Sequence, residues 1–356
     1  MNAILLSAGL GTRLAPLTNV LPKCLMPIHG RPLLEHWLRR LDAAGVTDIL
    51  VNTHHLPHLV EGWLASSPWA GRVRVVREGR LLGTGGTLAA NRDFAGGGPL
   101  LLAHADNLCC ADFEVFFAAH ARRAQGAAMT MMSFTTDCPC SCGILELDEN
   151  GVVRAFHEKV ADPPGNLANA AVYVVEPEVA DFAAGLGREV VDLSTEVIPH
   201  FLGRIQSWRN DACLRDIGSV ASLLAAQAEF PGHAPWESQP GHDAWADLCA
   251  ANGHALPRRL AEALAGALDL PLIRPASPEQ ALEALARPAL ISLPADCSLD
   301  RVFALLHKNA RLHPGAFLFM EQSGDGPAHI RACGGLGLGC FLACDTANHV
   351  RPGRTQ

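Results

Sequence analysis

Two hydrophobic rhythms alternate along the first hundred residues. The apolar run at 3–7 has the length of a buried strand, whereas 32–41 (PLLEHWLRRL) repeats apolar positions every three to four residues, as one face of a helix does. The pattern recurs as strand 48–52, helix 58–64, strand 73–76, a helix opening over 86–91, and a buried strand over 99–104. This order predicts an α/β fold: a Rossmann-like, mostly parallel sheet with helices on both faces and ligands at the carboxyl ends of its strands. From 128 to 175 strand-like runs follow one another, which predicts hairpins laid over the site. A short strand at 212–214 and a helix over 220–228 follow.

Residues 230–243 (FPGHAPWESQPGHD) place three prolines and two glycines in a polar run and read as a linker. The predicted division is a catalytic region at 1–230, a linker at 231–243 and a small C-terminal α/β appendage at 244–356. The appendage pattern rests on 258–268, 278–286, 289–293, 299–309 and 316–321. It shows no sustained six-residue period, so a left-handed β-helix is not expected there. The glycine run 334–339 reads as a loop rather than a site.

Small residues take over where the first strand ends. Ser7, Ala8, Gly9, Leu10, Gly11, Thr12 and Arg13 follow in order, and Lys23 lies a short way on. Gly9 and Gly11 let backbone N–H groups approach an anion without side-chain obstruction. Arg13 adds a bidentate phosphate fork and Lys23 a point charge. The loop therefore reads as a polyphosphate cradle. Leu14 occupies the place where a dinucleotide fingerprint needs its third glycine, and the Gly-Lys-Ser/Thr string of a P-loop is missing.

Bulk composition narrows the classes further. The chain has 356 residues, of which 49% are hydrophobic and 18% charged, so a sizeable core is expected and global disorder is not. A formal net charge of −8 without a basic stripe argues against a nucleic-acid partner, although single nucleotides remain open. No secretory pattern or membrane-length apolar run is read, so a cytoplasmic location with reduced thiols is expected for the 12 cysteines. Cys138, Cys140 and Cys142 lack the spacing of a structural zinc site. His54, His55 and His58 read as a solvated connection.

Two aspartates stand where an α/β fold places chemistry. Asp106 ends the 99–104 strand and could hold Mg²⁺. Asp216 follows the short strand at 212–214 and precedes a helix, so metal binding and helix capping are both open readings.

The phosphate loop resembles the signature of the sugar-phosphate nucleotidylyltransferases, G-x-G-T-R-x-x-P-x-T followed by P-K-x-L-x-P. Here it stands as Gly9, Gly11, Thr12, Arg13, Pro16 and Thr18, then Pro22, Lys23, Leu25 and Pro27. Further segments resemble the same family: Cys142-Gly143 with Asp148, Gly151 and Val153, then Phe156, Glu158 and Lys159, and next Asn169-Ala170-Ala171-Val172-Tyr173. Asp216-Ile217-Gly218-Ser219 and the 192–199 segment complete the resemblance, which spans 3–228. It implies that Asp106 and Asp216 ligate Mg²⁺, that Gly143, Glu158 and Asn169 contact sugar hydroxyls, and that Lys159 meets the sugar phosphate. Arg13 would steady departing pyrophosphate and Lys23 the α-phosphate.

The stretch Glu78–Leu88 resembles the family's base-reading segment, in which L-G-T-x-G follows an acidic or amide residue; this names Glu78, Gly83 and Gly85. A carboxylate accepts hydrogen bonds only, so it suits guanine or uracil better than adenine; a plain surface glutamate is the other reading. The implied reaction transfers a nucleotidyl group from a nucleoside triphosphate, GTP favoured, to a manno-configured hexose or heptose 1-phosphate. Uridylyl or thymidylyl transfer is the nearest alternative, and cytidylyl transfer to phosphocholine shares only the first motif. A non-catalytic nucleotide-sugar-binding subunit is the alternative of another class. Four positions depart from the family pattern: Ala105 and Ala171 replace glycines, and Val160 and Val220 replace prolines. Oligomeric state, including a homo-oligomer, is left open.

Overall fold

The computed structural model describes residues 1–28, 31–230, 255–285, 289–293, 316–320 and 330–332. They form two compact units. The first gathers 1–12, 22–25 and 33–218; the second gathers 13–21, 26–32 and the chain from 219 onward.

The first unit is built on a nine-stranded sheet. Its strands in chain order are β1 (Asn2–Leu6), β4 (Ile49–Thr53), β5 (Val73–Arg77), β6 (Leu100–His104), β8 (Met129–Thr135), β9 (Gly143–Leu147), β10 (Val153–Glu158), β11 (Leu167–Val175) and β12 (Ile205–Arg209). The numbers β2 and β3 belong to Pro27–Ile28 and Arg31–Pro32, a short antiparallel pair in the second unit. The main path runs β10-β9-β11-β6-β1-β4-β5, with β8 bridging β11 and β12. Pairing is parallel from β6 through β1 and β4 to β5, and antiparallel where β11 meets β6, β8 and β9. The hairpins expected at 128–175 are thus strands of the same sheet. A two-stranded ladder, β7 (Asn107–Cys109) with β13 (Leu214–Asp216), lies apart from it.

Local sequence explains these elements. β1 buries Ala3, Ile4, Leu5 and Leu6, as a strand with neighbours on both edges and cover on both faces must. Helix α1 (Leu33–Ala43) sets Leu33, Leu34, Trp37, Leu38 and Leu41 in one apolar stripe and buries Glu35, His36 and Arg40 as well. Helix α2 (Pro57–Ser66) opens on a proline, which needs no N–H partner there. Helix α3 (Gly83–Ala90) follows β5, and α4 (Phe113–Ala121) and α5 (Pro177–Gly185) complete the unit. Hydrophobic periodicity does not announce α4, because FEVFFAAHA has almost no polar face to set against its apolar one. Its start is marked instead by Asp112, which accepts a hydrogen bond from the Val115 amide at 3.1 Å. The core joins Ile4, Leu50, Leu88, Leu102, Met131 and Tyr173 from the sheet and α3 to Val179, Val197 and Phe201.

In the second unit, α6 (Val220–Glu229) is tied to the β2 strand by Gln227, whose side chain donates to the Pro27 carbonyl at 2.7 Å. Helices α7 (Ala255–Leu268) and α8 (Pro278–Leu285) accompany a four-stranded sheet, β14 (Leu272–Ile273), β15 (Ala289–Leu293), β16 (Ala316–Met320) and β17 (Ile330–Ala332). The first three strands pair in parallel and β17 antiparallel. The linker at 231–243, the segment 299–309 and the glycine run 334–339 lie outside the described residues. Among the described residues, no helix is long and apolar enough to cross a membrane.

Candidate active site

β1 sits between β4, the next strand of the main sheet along the chain, and β6, which pairs on its other edge. Strand order switches there, β4 lying on one side of β1 and β6 on the other, and ligands of open α/β sheets enter at the carboxyl ends of strands beside such a point. A cavity of about 280 Å³ opens at that place, reached by Ser7 to Gly9, Asn52, Glu78, Thr87, His104 and Asp106. Each of these follows or ends one of the four parallel strands, or lies on α3.

The phosphate loop is anchored by its first residue. The Ser7 amide donates to the Asn52 side-chain oxygen at 2.7 Å, and its hydroxyl donates to the Asn52 carbonyl at 2.6 Å. Ser7 therefore spends its donors on β4, and Ala8 and Gly9 follow it along the cavity wall. A Cβ at Gly9 would meet no protein atom within 4 Å, so the fold itself does not demand glycine there. Gly11 has φ +62°, a left-handed geometry that glycine adopts without strain. Arg13 is exposed and belongs to the second unit.

Two carboxylates converge on one ammonium. β7 and β13 pair with Asp216 opposite Asn107, which brings Asp216 beside Asp106 across 110 positions of sequence. Buried Lys23 donates to Asp106 Oδ2 at 2.8 Å and to Asp216 Oδ1 at 2.6 Å. Burial alone would raise the Asp106 carboxyl, but the Lys23 charge, helped by His104, outweighs it and holds the group below the usual carboxylate range. Burial pushes the His104 imidazole below its ordinary value against the pull of Asp106. The capping alternative for Asp216 falls to another residue: Ser219 caps α6, accepting from the Ser222 amide at 3.2 Å. Two carboxylates already gathered around a positive charge are a hard oxygen set suited to Mg²⁺, which binds one or two carboxylates and completes its shell with phosphate oxygens and water.

Glu78 lines the same cavity and is no surface glutamate, being 6% exposed. Its Oε1 accepts from Asn52 Nδ2 at 2.8 Å and from the Thr87 hydroxyl at 2.6 Å; its Oε2 accepts from the Leu82 amide at 3.1 Å. Asn52 and Thr87, 3% and 1% exposed, were not legible as site residues from the motifs. The available signal was a polar residue inside the apolar run of β4. The glycines of Gly83–Gly86 serve packing. A Cβ on Gly83, which has φ +74°, would stand 2.4 Å from the Val191 carbonyl oxygen, and one on Gly85 would stand 2.8 Å from the Val191 side chain. The amides of Gly85 and Gly86 both donate to that same carbonyl, at 2.9 and 3.0 Å. Gly83 still lines the cavity, whereas Gly85 is turned to Val191.

Register assembles the third group. Glu158 pairs with Gly143 across β10 and β9, and β11 joins β9 through Ala168 and Ile144. β11 also runs antiparallel to β6 with Val172 opposite Ala103, so the residues before Val172 pass beside the end of β6. A side chain at Gly143 would collide with Phe156 at 2.5 Å and with Glu158 Oε2 at 2.7 Å. Lys159, at φ +50°, pairs with Glu158 at 2.9 Å. The Asn169 amide is engaged within its own strand: it donates to the Tyr173 hydroxyl at 2.6 Å and accepts from the Ala171 amide at 2.9 Å. Burial holds the Tyr173 phenol above its usual range. Ala171 itself has φ +56°, inside the irregular register between Asn169 and Tyr173.

Comparison with known proteins agrees with this geometry. The sequence matches the Nucleotidyl transferase family over residues 2–231. It is 32% identical over 248 residues to a mannose-1-phosphate guanylyltransferase of Mycobacterium tuberculosis, covering 68% of each chain. A mannose-1-phosphate guanyltransferase of Candida albicans is 31% identical over 187 residues, and there the match spans only about half of that relative, 51%. Among solved structures, HddC from Yersinia pseudotuberculosis complexed with GMP-PN superposes with a TM-score of 0.55 at 21% identity, over 64% of this chain and 99% of that one. A UDP-glucose pyrophosphorylase complexed with UDP-glucose gives 0.56 at 18% identity, over 64% and 97%. These structural likenesses establish the fold, and the sequence matches establish the lineage. The chain belongs to the nucleotidyl transferase family and, within it, to the sugar-1-phosphate nucleotidylyltransferases.

Proposed function

We propose that this enzyme transfers GMP from GTP to a manno-configured hexose or heptose 1-phosphate, releasing pyrophosphate. The observation that carries this reading is the pair Asp106 and Asp216 gathered on Lys23, with Lys23 and Asp106 lining the same cavity as the buried acceptor Glu78. A sugar phosphate oxygen attacks the α-phosphorus and pyrophosphate leaves in line. The nucleophile is already an anion, so no general base is needed, and catalysis is positioning with charge neutralisation. Lys23 faces the α-phosphate, Lys159 the sugar phosphate, and Arg13, by the motif it stands in, the departing pyrophosphate. Gly143, Glu158 and Asn169 shape the sugar pocket. Asp106 and Asp216 are the residues that would hold Mg²⁺, whose charge would offset that of the reacting phosphates.

The base preference follows from Glu78, since guanine offers ring and exocyclic N–H donors to a carboxylate. It is supported by the relatives' names, which specify guanylyl transfer to mannose 1-phosphate. We assign the catalytic role to 1–230 and the cytoplasm as the site of action. The test mixes purified protein and Mg²⁺ with five nucleoside triphosphates and a panel of sugar 1-phosphates, and measures pyrophosphate release. Release with GTP and a manno-configured acceptor, lost in Asp106→Ala, is expected. Nucleotide binding without release from any pair would overturn the reading in favour of a non-catalytic subunit.

A further inference from the structure

The hydrogen bonds already made by Glu78 limit what it can read. A carboxylate offers about four acceptor positions, two on each oxygen. Asn52 is fixed in orientation from both sides: the Ser7 amide can only donate to it, which points its NH₂ at Glu78 Oε1, 2.8 Å away. Thr87 has a single hydroxyl hydrogen. Glu78 Oε1 at 2.6 Å and the Gly83 carbonyl at 3.1 Å both lie within its reach. The hydrogen must face the carboxylate, because two bare oxygens at that shorter separation would repel. Oε1 is thereby filled. Oε2 holds the Leu82 amide at 3.1 Å and keeps one position.

We infer that Glu78, locked by Asn52 and Thr87, accepts one hydrogen bond from the base, from a ring N–H, and leaves the exocyclic amine of guanine unread. This rests on the guanylyl-transfer reading. Bidentate recognition of guanine N1–H and N2–H₂ needs one open acceptor on each oxygen, and only Oε2 has one. Asn52 and Thr87 act as positioning residues, since both touch Glu78 and set which oxygen remains open. Bases without a ring N–H, adenine and cytosine, have nothing to give that acceptor. They turn a ring-nitrogen lone pair toward it and are rejected by repulsion.

The test is steady-state kinetics of the full chain with GTP, ITP and 1-methyl-GTP, at saturating sugar 1-phosphate. ITP keeps the ring N–H and lacks the amine; 1-methyl-GTP is the reverse. ITP should stay within about threefold of GTP in kcat/KM, while 1-methyl-GTP should fall about ten- to a hundredfold, the worth of one hydrogen bond to a charged group. A tenfold or greater loss with ITP, or full activity with 1-methyl-GTP, overturns the inference. Glu78→Gln gives an independent check. Its amide oxygen stays with Asn52 and Thr87 and its NH₂ takes the Oε2 place at the expense of the single Leu82 N–H contact, so the preference for GTP over ATP should collapse; an unchanged preference counts against the inference. If UTP turns over and GTP and ITP do not, the guanylyl reading fails on its own. Glu78 is then judged by 3-methyl-UTP, whose loss of activity upholds the ring N–H contact and whose retention overturns it. Turnover of ATP or CTP in preference to the others overturns both readings.

Discussion

Glu78, on the proposed reading the base end of the cleft, is 6% exposed and three donors fix its carboxylate before any ligand arrives. At the sugar end, the Glu158 side chain is 24% exposed, its partner Lys159 is 65% exposed, and two non-glycine residues, Lys159 and Ala171, sit at positive φ. The first end is a satisfied buried network, which is rigid because every member holds another. The second has left-handed backbone at Lys159, just after β10, and at Ala171 within β11, and its Glu158–Lys159 pair reaches solvent, where side chains can be moved at low cost. Under the proposed function, base choice is accordingly a property of the folded scaffold, and sugar choice a property of a few adjustable side chains.

The largest effect is expected at the two carboxylates held by Lys23. Asp106→Asn or Asp216→Asn should lower kcat about 10²- to 10⁴-fold, the scale of removing a principal electrostatic contact from a transition state. The GTP-to-ITP ratio should not move, because Glu78 is untouched. EDTA should abolish turnover in the unaltered protein and Mg²⁺ should restore it. A variant that lost base discrimination along with turnover would show that the ends are not separable.

The same glycine-to-alanine change should act differently at the two ends. At Gly83, a Cβ would meet the Val191 backbone at 2.4 Å and the residue has φ +74°, so neither partner can yield cheaply. Left-handed strain and overpacking together should cost roughly 3 kcal/mol in urea denaturation. At Gly143, the obstructing atoms are the Phe156 ring edge and Glu158 Oε2, both side-chain ends. Gly143→Ala should therefore cost about 1 kcal/mol, raise KM for the sugar 1-phosphate about tenfold, and leave KM for GTP alone. Equal stability losses at both positions would erase the distinction drawn here.

What the sequence disclosed follows the same division. The parallel core was legible because β1, β4 and β6 are short apolar runs and β5 a valine-rich one, separated by helical or glycine-rich stretches. Lys23, Asp106 and Asp216 were legible through their motifs, although only the β7–β13 register explains why residues so distant meet. Asn52 and Thr87 were not: their roles come from pairing with Ser7 and Glu78 across strands, and the local signal is no more than a polar residue following the apolar run of ILVNT. The glycines Gly83 and Gly85 were visible as a motif, but their cause was not, since Val191 lies over a hundred positions away. The α4 helix escaped for a different reason, a segment so apolar that it carries no amphipathic period.

The smallest effect bears on Ala171, where the family pattern has glycine. The backbone there has φ +56°, and the Asn169 side chain holds it by accepting the Ala171 N–H at 2.9 Å. A left-handed alanine is strained by about 1–2 kcal/mol relative to an ordinary conformation. Glycine removes that strain but loses more chain entropy on folding, about 0.5–1 kcal/mol. Ala171→Gly should therefore stabilise the protein by about 0.5–1 kcal/mol, a rise of about 1–4 °C in Tm for a unit of this size. The GTP-to-ITP ratio should be unchanged, while KM for the sugar 1-phosphate is free to shift, because the methyl group belongs to the adjustable end. A fall in Tm would mean that packing of the Ala171 methyl outweighs its backbone strain. The sugar end would then be as firmly built as the base end, and sugar choice would have to be sought in the scaffold after all.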